Sequence, residues 1–378
     1  QKAQRSGITI SNPVIADSKR WLLNPAREKL GTHQVGAKAA NYGLIQNCLA
    51  NTPFVLPGRA IGFNLYLQTI TIDGNKGKPI ELIRKLLTSK NHLSQAAINQ
   101  QLKQIRGAIN AIPLNKAPRN TVGKTVADEL VELFTSDYQT VGRIRLRSST
   151  NSEDLPGFNG AGLYESKGFT AMQLDADGRR VLDEKKLWKK LKQVMASLWL
   201  PRAFHERDYF GINHYKVAMA IQINPAFSDQ WLGGVDMYEW GNGVAVYDEQ
   251  RAESRLTVNA QFGEASVTNP QLGEQAESFV LHDGKLHQII SRSRIQNKPH
   301  KVFIAANHPA VSKAEAPLLQ GLNTAAKTIF QCMIRQNPNA RVRNTERFGV
   351  DLEFKLMFDR VKQKKHLFIK QARPLQLR

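Results

Sequence analysis

Arg143–Ser166 reads RIRLRSSTNSEDLPGFNGAGLYES, and its two halves ask for different backbones. Arg143, Arg145 and Arg147 alternate with Ile144 and Leu146, the period of a strand with one apolar face. At the strand's end Ser148, Ser149 and Thr150 set hydroxyls beside the Arg147 guanidinium. Gly157, Gly160 and Gly162 follow, and residues without a Cβ let backbone amides come close to a ligand. A strand that delivers a cation to a glycine-rich loop can cradle phosphate. The stretch is not a P-loop, because GxxxxGK[ST] is absent, and glycine richness alone has low specificity.

On the N-terminal side, GAKAANYGL (Gly36 to Leu44) has the look of a small-residue turn opening a short helix that carries Lys38. Phe54, Val55 and Leu56 form a β-like run stopped by Pro57-Gly58. Pro79 suits the first position of a helix over Ile80 to Leu87, and Ser94 can cap another with Ile98, Leu102, Ile105 and Ile109 on one face. A third, about Val126 to Phe134, leads into the arginine-bearing strand.

On the C-terminal side, a helix near Lys185 to Leu200 has Leu187, Leu191, Val194 and Leu198 on its apolar face. Lys185, Lys186, Lys189, Lys190 and Lys192 fall on its polar side. After a strand at Val217 to Ile223, short strands are expected at Gly243 to Tyr247 and Leu256 to Asn259, with a hairpin turn at Asp283-Gly284. A helix of about Ala314 to Ile334 precedes a last hairpin, Val350 to Phe354 and Leu367 to Gln371. The change of texture places a lobe boundary near Ile223 to Ser228, dividing the chain into lobes of residues 1–225 and 226–378.

That last hairpin is informative by geometry alone. Residues two apart on a strand share a face, which pairs Asp351 with Glu353 and Gln371 with Arg373. Paired carboxylates commonly hold Mg²⁺, which takes its other ligands from water and nucleotide phosphates, and an arginine adds charge-assisted hydrogen bonds to the same oxygens. The plain alternative is a solvent-facing strand with a cross-strand salt bridge.

The motifs, taken in order, resemble the phosphoenolpyruvate synthase and pyruvate phosphate dikinase family in its N-terminal ATP-binding domain. RSSTNSEDL (Arg147 to Leu155) is similar to the family's RSSATAEDL, and Pro156 to Ser166 to the PGASFAGQYET that follows. GAKAANYGL is similar to GGKGANLAEL, Phe54 to Gly58 to VPPGF, and Ala196 to Phe210 to a family helix. Val217 to Gln222 resembles the VAVLVQ strand and Gln261 to Val267 the GLGE segment, while DLEF and IKQARP resemble DIEW and LQARP. The resemblance implies an α+β, ATP-grasp-like fold in which two lobes clasp ATP and Mg²⁺. It implies that Lys38 and Arg147 contact phosphates as the catalytic cations, that Gly162 and Ser166 form the phosphate loop, and that Gln222 meets the adenine edge. Glu353 and Asp351 are implied as metal ligands and Gln371 and Arg373 as the rest of the phosphate end. Glu264 is a further nucleotide-site candidate in a drifted context, QFGEAS where the family has WGLGES.

Departures accompany the likeness. GVDMYEW (Gly234 to Trp240) stands where the family has GVLFTRDP, Ala37 and Ala39 replace glycines, and Ser166 replaces a threonine. None of the nine histidines lies in a GGxTSHAA-like context. His205, His214 and His366 are expected to be surface or partly packed residues, and the phosphate-accepting histidine is expected on another domain, in cis or in trans. The function implied is phosphoryl donation from Mg-ATP by a dikinase-type phosphotransferase module, with an unidentified small-molecule final acceptor. The alternative is a non-catalytic nucleotide- or polyanion-binding relative.

Bulk composition agrees with a globular chain. The 378 residues suffice for two or three subdomains, and no apolar run approaches a membrane span. Lys and Arg number 53 against 32 Asp and Glu, a net charge of +21. Phosphate-binding cations and a solvated basic exterior account for that excess more readily than a nucleic-acid surface. Only Cys48 and Cys332 occur, far apart and outside any CxxC, so two free buried thiols are expected. No uncleaved signal peptide is visible, which puts the expectation in the cytoplasm.

Overall fold

Both principal sheets are antiparallel throughout and backed by helices, an α+β arrangement. The computed structural model describes residues 7–377 except 139–140, 156, 159, 161, 171–172, 175, 178–179, 227–236, 251–252, 264–266, 268–269, 295–308 and 337–346. The chain divides into two units, Gln1–Gly43 with Pro57–Ala226, and Leu44–Leu56 with Phe227–Arg378.

The first unit runs β1 (Leu22–Leu23), α1 (Pro25–Glu28), α2 (Thr32–Cys48, its last residues belonging to the second unit), β2 (Arg59–Ile61) and α3 (Phe63–Thr69). It continues α4 (Pro79–Ser89), α5 (Gln95–Asn110), α6 (Val126–Thr135), β3 (Arg143–Thr150) and β4 (Lys167–Thr170). The small hairpin β5 (Gln173–Leu174) and β6 (Arg180–Val181) precedes α7 (Glu184–Ala196), α8 (Pro201–Tyr209) and β7 (Met219–Pro225). Sheet order is β1-β2-β7-β3-β4, which makes β7 the central strand; all seven of its residues are buried. Pro79 opens α4, and the Ser94 side chain caps α5 by accepting from Ala97 N, as their sequence positions suggest.

Helix α7 packs against β3, β4 and β7 and buries Leu187, Trp188, Leu191 and Val194. Lys192 departs from its expected polar side. It is buried, its Nζ donating to the carbonyls of Asn110 at 2.7 Å and Ile112 at 2.6 Å, and burial pushes the ammonium pKa down. His214 departs likewise: it is 5% exposed, stacks on Phe204 at 4.2 Å, and is lowered to about 4, chiefly by burial, although Asp208 opposes the shift.

The second unit's sheet comprises β8 (Met237–Gln250), β9 (Glu253–Phe262), β10 (Glu277–His282), β11 (Lys285–Ser291), β12 (Arg347–Asp359) and β13 (Lys364–Leu377). Its order is β11-β10-β9-β8-β12-β13. Asp283 and Gly284 make the β10–β11 turn with φ of 48° and 76°, the left-handed pair that a tight hairpin needs. Helix α9 (Pro309–Gln336) lies against β8, β12 and β13 through Leu322, Ala326, Ile329 and Phe330. Phe330 meets Tyr247 edge-on at 5.2 Å, and Tyr247 is paired with Val350. The α9 face of the sheet therefore holds Tyr247, Val350 and Leu352, and strand alternation turns Asp351 and Glu353 to the other face.

Two expectations fail in this unit. Phe54 to Leu56 is not a strand; Phe54 instead lends its carbonyl to Ile369 N at 2.8 Å. Cys48 and Cys332 are not free thiols but a disulfide, joining the end of α2 to α9 across 284 residues of sequence.

Candidate nucleotide site

Arg147 sits near the end of β3 directly across from Gln222 on β7. Arg147 is 7% exposed and Gln222 1%, so the pair is a buried polar patch, continued on the same two strands by Ser148, Ser149, Thr150 and Asn224. Ser149, two residues along, is on the same face as Arg147. Its Oγ accepts from Ala39 N at 3.0 Å and donates to Val35 O at 2.8 Å, clasping both sides of a kink in α2. The kink is at Gly36, with φ 77°, and a Cβ there would lie 2.3 Å from Ser149 O. Only glycine lets the turn before Lys38 press onto β3. Ala37 and Ala39 are buried in this contact, so the two glycine replacements are accommodated.

Lys38 forms an ion pair with Glu153, whose side chain is 2% exposed. The other oxygen of Glu153 accepts from the Thr150 amide at 3.0 Å and hydroxyl at 3.2 Å. Thr150 Oγ1 lies 3.2 Å from Ser152 Oγ, which lies 3.0 Å from Tyr164 OH. Arg207, fully buried on α8, donates to Tyr164 OH at 3.0 Å and to Leu198 O at 2.8 Å. A buried carboxylate is tolerated only when paired and hydrogen-bonded, and Glu153 meets both conditions through Lys38 and Thr150. Sequence reasoning gave no role to Glu153, Tyr164 or Arg207. An acid three residues after Thr150 is a local turn pattern that could have flagged Glu153.

Gly162 is exposed with φ 74°, and a Cβ there would meet nothing within 4 Å. Ser166 immediately precedes Lys167, which pairs with Leu146, so the hydroxyl lies at the end of the β3–β4 ladder beside Arg147's position. Neither amide atom of Gln222 has a hydrogen-bond partner among the described residues. Glu264 lies outside the described residues, as do Gly234 to Asp236 of the GVDMYEW segment.

On the second unit's open sheet face, Asp351 pairs across to Arg373 and Glu353 to Gln371. Arg373 Nε and Nη2 each stand 2.7 Å from Asp351 Oδ2, which realises the cross-strand salt bridge. A bulge after Glu353 leaves Lys370 as the extra residue on β13, its Nζ 3.4 Å from Glu353 Oε2. Lys370 was not singled out from the sequence. The four expected residues of the carboxylate hairpin thus share one surface with a fifth, cationic one. Two carboxylates on one face fit Mg²⁺, which uses one or two protein carboxylates and fills its shell from phosphates and water. No group of three or more His, Cys, Asp or Glu is placed to hold a metal among the described residues. Among those residues, no helix is long and apolar enough to cross a membrane.

A scan against protein families matches residues 32–378 to pyruvate phosphate dikinase, AMP/ATP-binding domain. No curated protein matches the chain. The family match covers every motif from Gly36 to Arg373, including the Lys38, Arg147 and Asp351 to Arg373 regions just described. The chain therefore belongs to the AMP/ATP-binding domain family of pyruvate phosphate dikinase.

Proposed function

We propose that this chain binds Mg-ATP and donates a phosphoryl group to a histidine carried by another domain or another protein. The observation that carries the reading is the clasp by Ser149. It ties the Lys38 turn to the strand end bearing Arg147, so two cations otherwise distant in sequence serve one end of the first unit's sheet. Phosphoryl transfer asks little covalent chemistry of the protein; positioning and charge neutralisation supply most of the rate. Arg147 offers a planar, permanently charged fork for phosphate oxygens. Lys38 supplies a point charge held by Glu153. In the second unit, taken by itself, Arg373 and Gln371 offer hydrogen-bond donors on one sheet face.

Glu353, with Asp351, would hold Mg²⁺, which when bound neutralises phosphate charge. Asp351 is engaged by Arg373 at 2.7 Å and Glu353 by Lys370 at the longer distance of 3.4 Å, which makes Glu353 the leading ligand. Glu353→Gln keeps the side chain's shape and removes its charge. Mg²⁺-dependent ATP affinity should then fall severalfold while metal-free nucleotide binding changes little, as read by calorimetric titration with and without Mg²⁺. Equal losses in both conditions would mark Glu353 as structural.

A further inference from the structure

We propose that Tyr164 is a positioning residue that links the buried Arg207 cation to Glu153 and so lets Lys38 leave that carboxylate for a phosphate; this rests on the nucleotide-binding reading above. The direction of every hydrogen in the link is fixed, because a hydroxyl has only one to give. Thr150 Oγ1 spends its hydrogen on Glu153 Oε2 at 3.2 Å, so Ser152 Oγ, 3.2 Å from Thr150 Oγ1, donates to it. Ser152 then has none left for Tyr164. Tyr164 OH therefore donates to Ser152 Oγ at 3.0 Å and accepts from Arg207 Nη1 at 3.0 Å. Three hydroxyls in a row point from a cation to an anion, and Thr150, Ser152, Tyr164 and Arg207 are all buried.

The charges at the two ends show what the link does. Arg207 keeps its proton at any ordinary pH. Among the described residues its guanidinium meets the Tyr164 hydroxyl and the Leu198 carbonyl but no carboxylate, and its Nε has no partner. Through the hydroxyls its counter-charge is Glu153. Glu153 in turn has one direct cation, Lys38. To serve a phosphate Lys38 must give up this ion pair, and stripping a buried carboxylate of its only charge partner is strongly disfavoured. The hydroxyl chain removes that obstacle. With Lys38 gone, Glu153 Oε2 still accepts from the Thr150 amide and hydroxyl, and the hydroxyl is backed through Ser152 and Tyr164 by Arg207. Hydrogen bonds in such a chain polarise and strengthen one another in a low-dielectric interior. Tyr164 stands two residues after Gly162, so the link is anchored in the glycine-rich stretch itself.

The test is a double-mutant cycle read by calorimetric titration with Mg-ATP and with inorganic tripolyphosphate, near-ultraviolet circular dichroism establishing the fold of each variant. Tyr164→Phe keeps the ring and removes the hydroxyl. Glu153 then holds Lys38 harder, and affinity for both ligands should fall by the same factor, about three- to tenfold, because only a phosphate contact is weakened. In a Glu153→Gln protein Lys38 has no carboxylate to leave, so adding Tyr164→Phe should change neither affinity. A purely structural role for Tyr164 would cost the same factor in both backgrounds. That result, or unchanged affinity in a folded Tyr164→Phe protein, would overturn the inference. If Glu153→Gln fails to fold, Ser152→Ala decides, since it cuts the same chain one link further on. It should repeat the Tyr164→Phe loss, and the two substitutions together should cost no more than either alone; wild-type affinity in folded Ser152→Ala, or additive losses, would sink the link. Wild type that binds neither ligand removes the nucleotide reading itself, whereas wild type that binds both beside additive variants removes only the role of Tyr164.

Discussion

Arg147→Ala should weaken Mg-ATP binding ten- to a hundredfold while leaving the fold intact. A hydrogen bond to a charged group contributes about 1.5 to 3 kcal/mol, and each 1.4 kcal/mol is about a factor of ten in affinity. Arg147 is 7% exposed, which places its guanidinium where water screens little, so the upper half of that range applies. The backbone ladder between β3 and β7 does not depend on the side chain, and Ser149 still clasps α2. Arg147→Lys should recover only part of the loss, because an ammonium cannot make the parallel pair of bonds a guanidinium makes. Calorimetry gives the affinities and near-ultraviolet circular dichroism the fold. Unchanged affinity in a folded Arg147→Ala protein would remove the guanidinium from the site.

The second large effect concerns stability. Reducing Cys48–Cys332, or replacing both residues by serine, should cost about 2 to 5 kcal/mol, because the bridge closes a long loop and restricts the unfolded chain. It also pins the segment after α2, whose Phe54 carbonyl accepts from Ile369 N on β13. Urea unfolding with and without reductant measures the difference, and alkylation under native, non-reducing conditions counts thiols. Two reactive thiols in the native protein would contradict the bridge. Paired cysteines are the habit of oxidising compartments, so the same alkylation on protein taken directly from its cell also tests the cytoplasmic expectation.

What could be read in advance was whatever depended on local period. The alternation from Arg143, the glycine loop, the Asp-Gly hairpin turn and the carboxylate strand all follow from residues two to four apart, and the structure places Asp351, Glu353, Gln371 and Arg373 on one face as that period implies. Strand lengths were underestimated for a physical reason. β8 and β9 run for 14 and 10 residues, but their solvent-facing positions interrupt the apolar runs that mark strands. Pairings across the chain were out of reach: Lys38 meets Glu153 from 115 residues away, and the two cysteines meet over 284. Lys192 and His214 lie inside despite their polar character, because backbone carbonyls and a Phe204 ring supply them with buried partners that no local pattern marks.

Phosphoryl donation in trans is the most direct test of the central claim. The chain is incubated with ATP labelled at both the β- and γ-phosphates and with a separately purified phosphohistidine domain of the pyruvate phosphate dikinase family. Tethering raises effective concentrations to as much as ~10⁵ to 10⁸ M for well-oriented groups, so transfer between separate domains should be slow and should quicken as the acceptor domain is added. The account predicts acid-labile label on the acceptor histidine, little ATP turnover without that domain, and loss of transfer in Arg147→Ala. Robust ATP turnover without an acceptor, or acid-stable label on this chain itself, would contradict it.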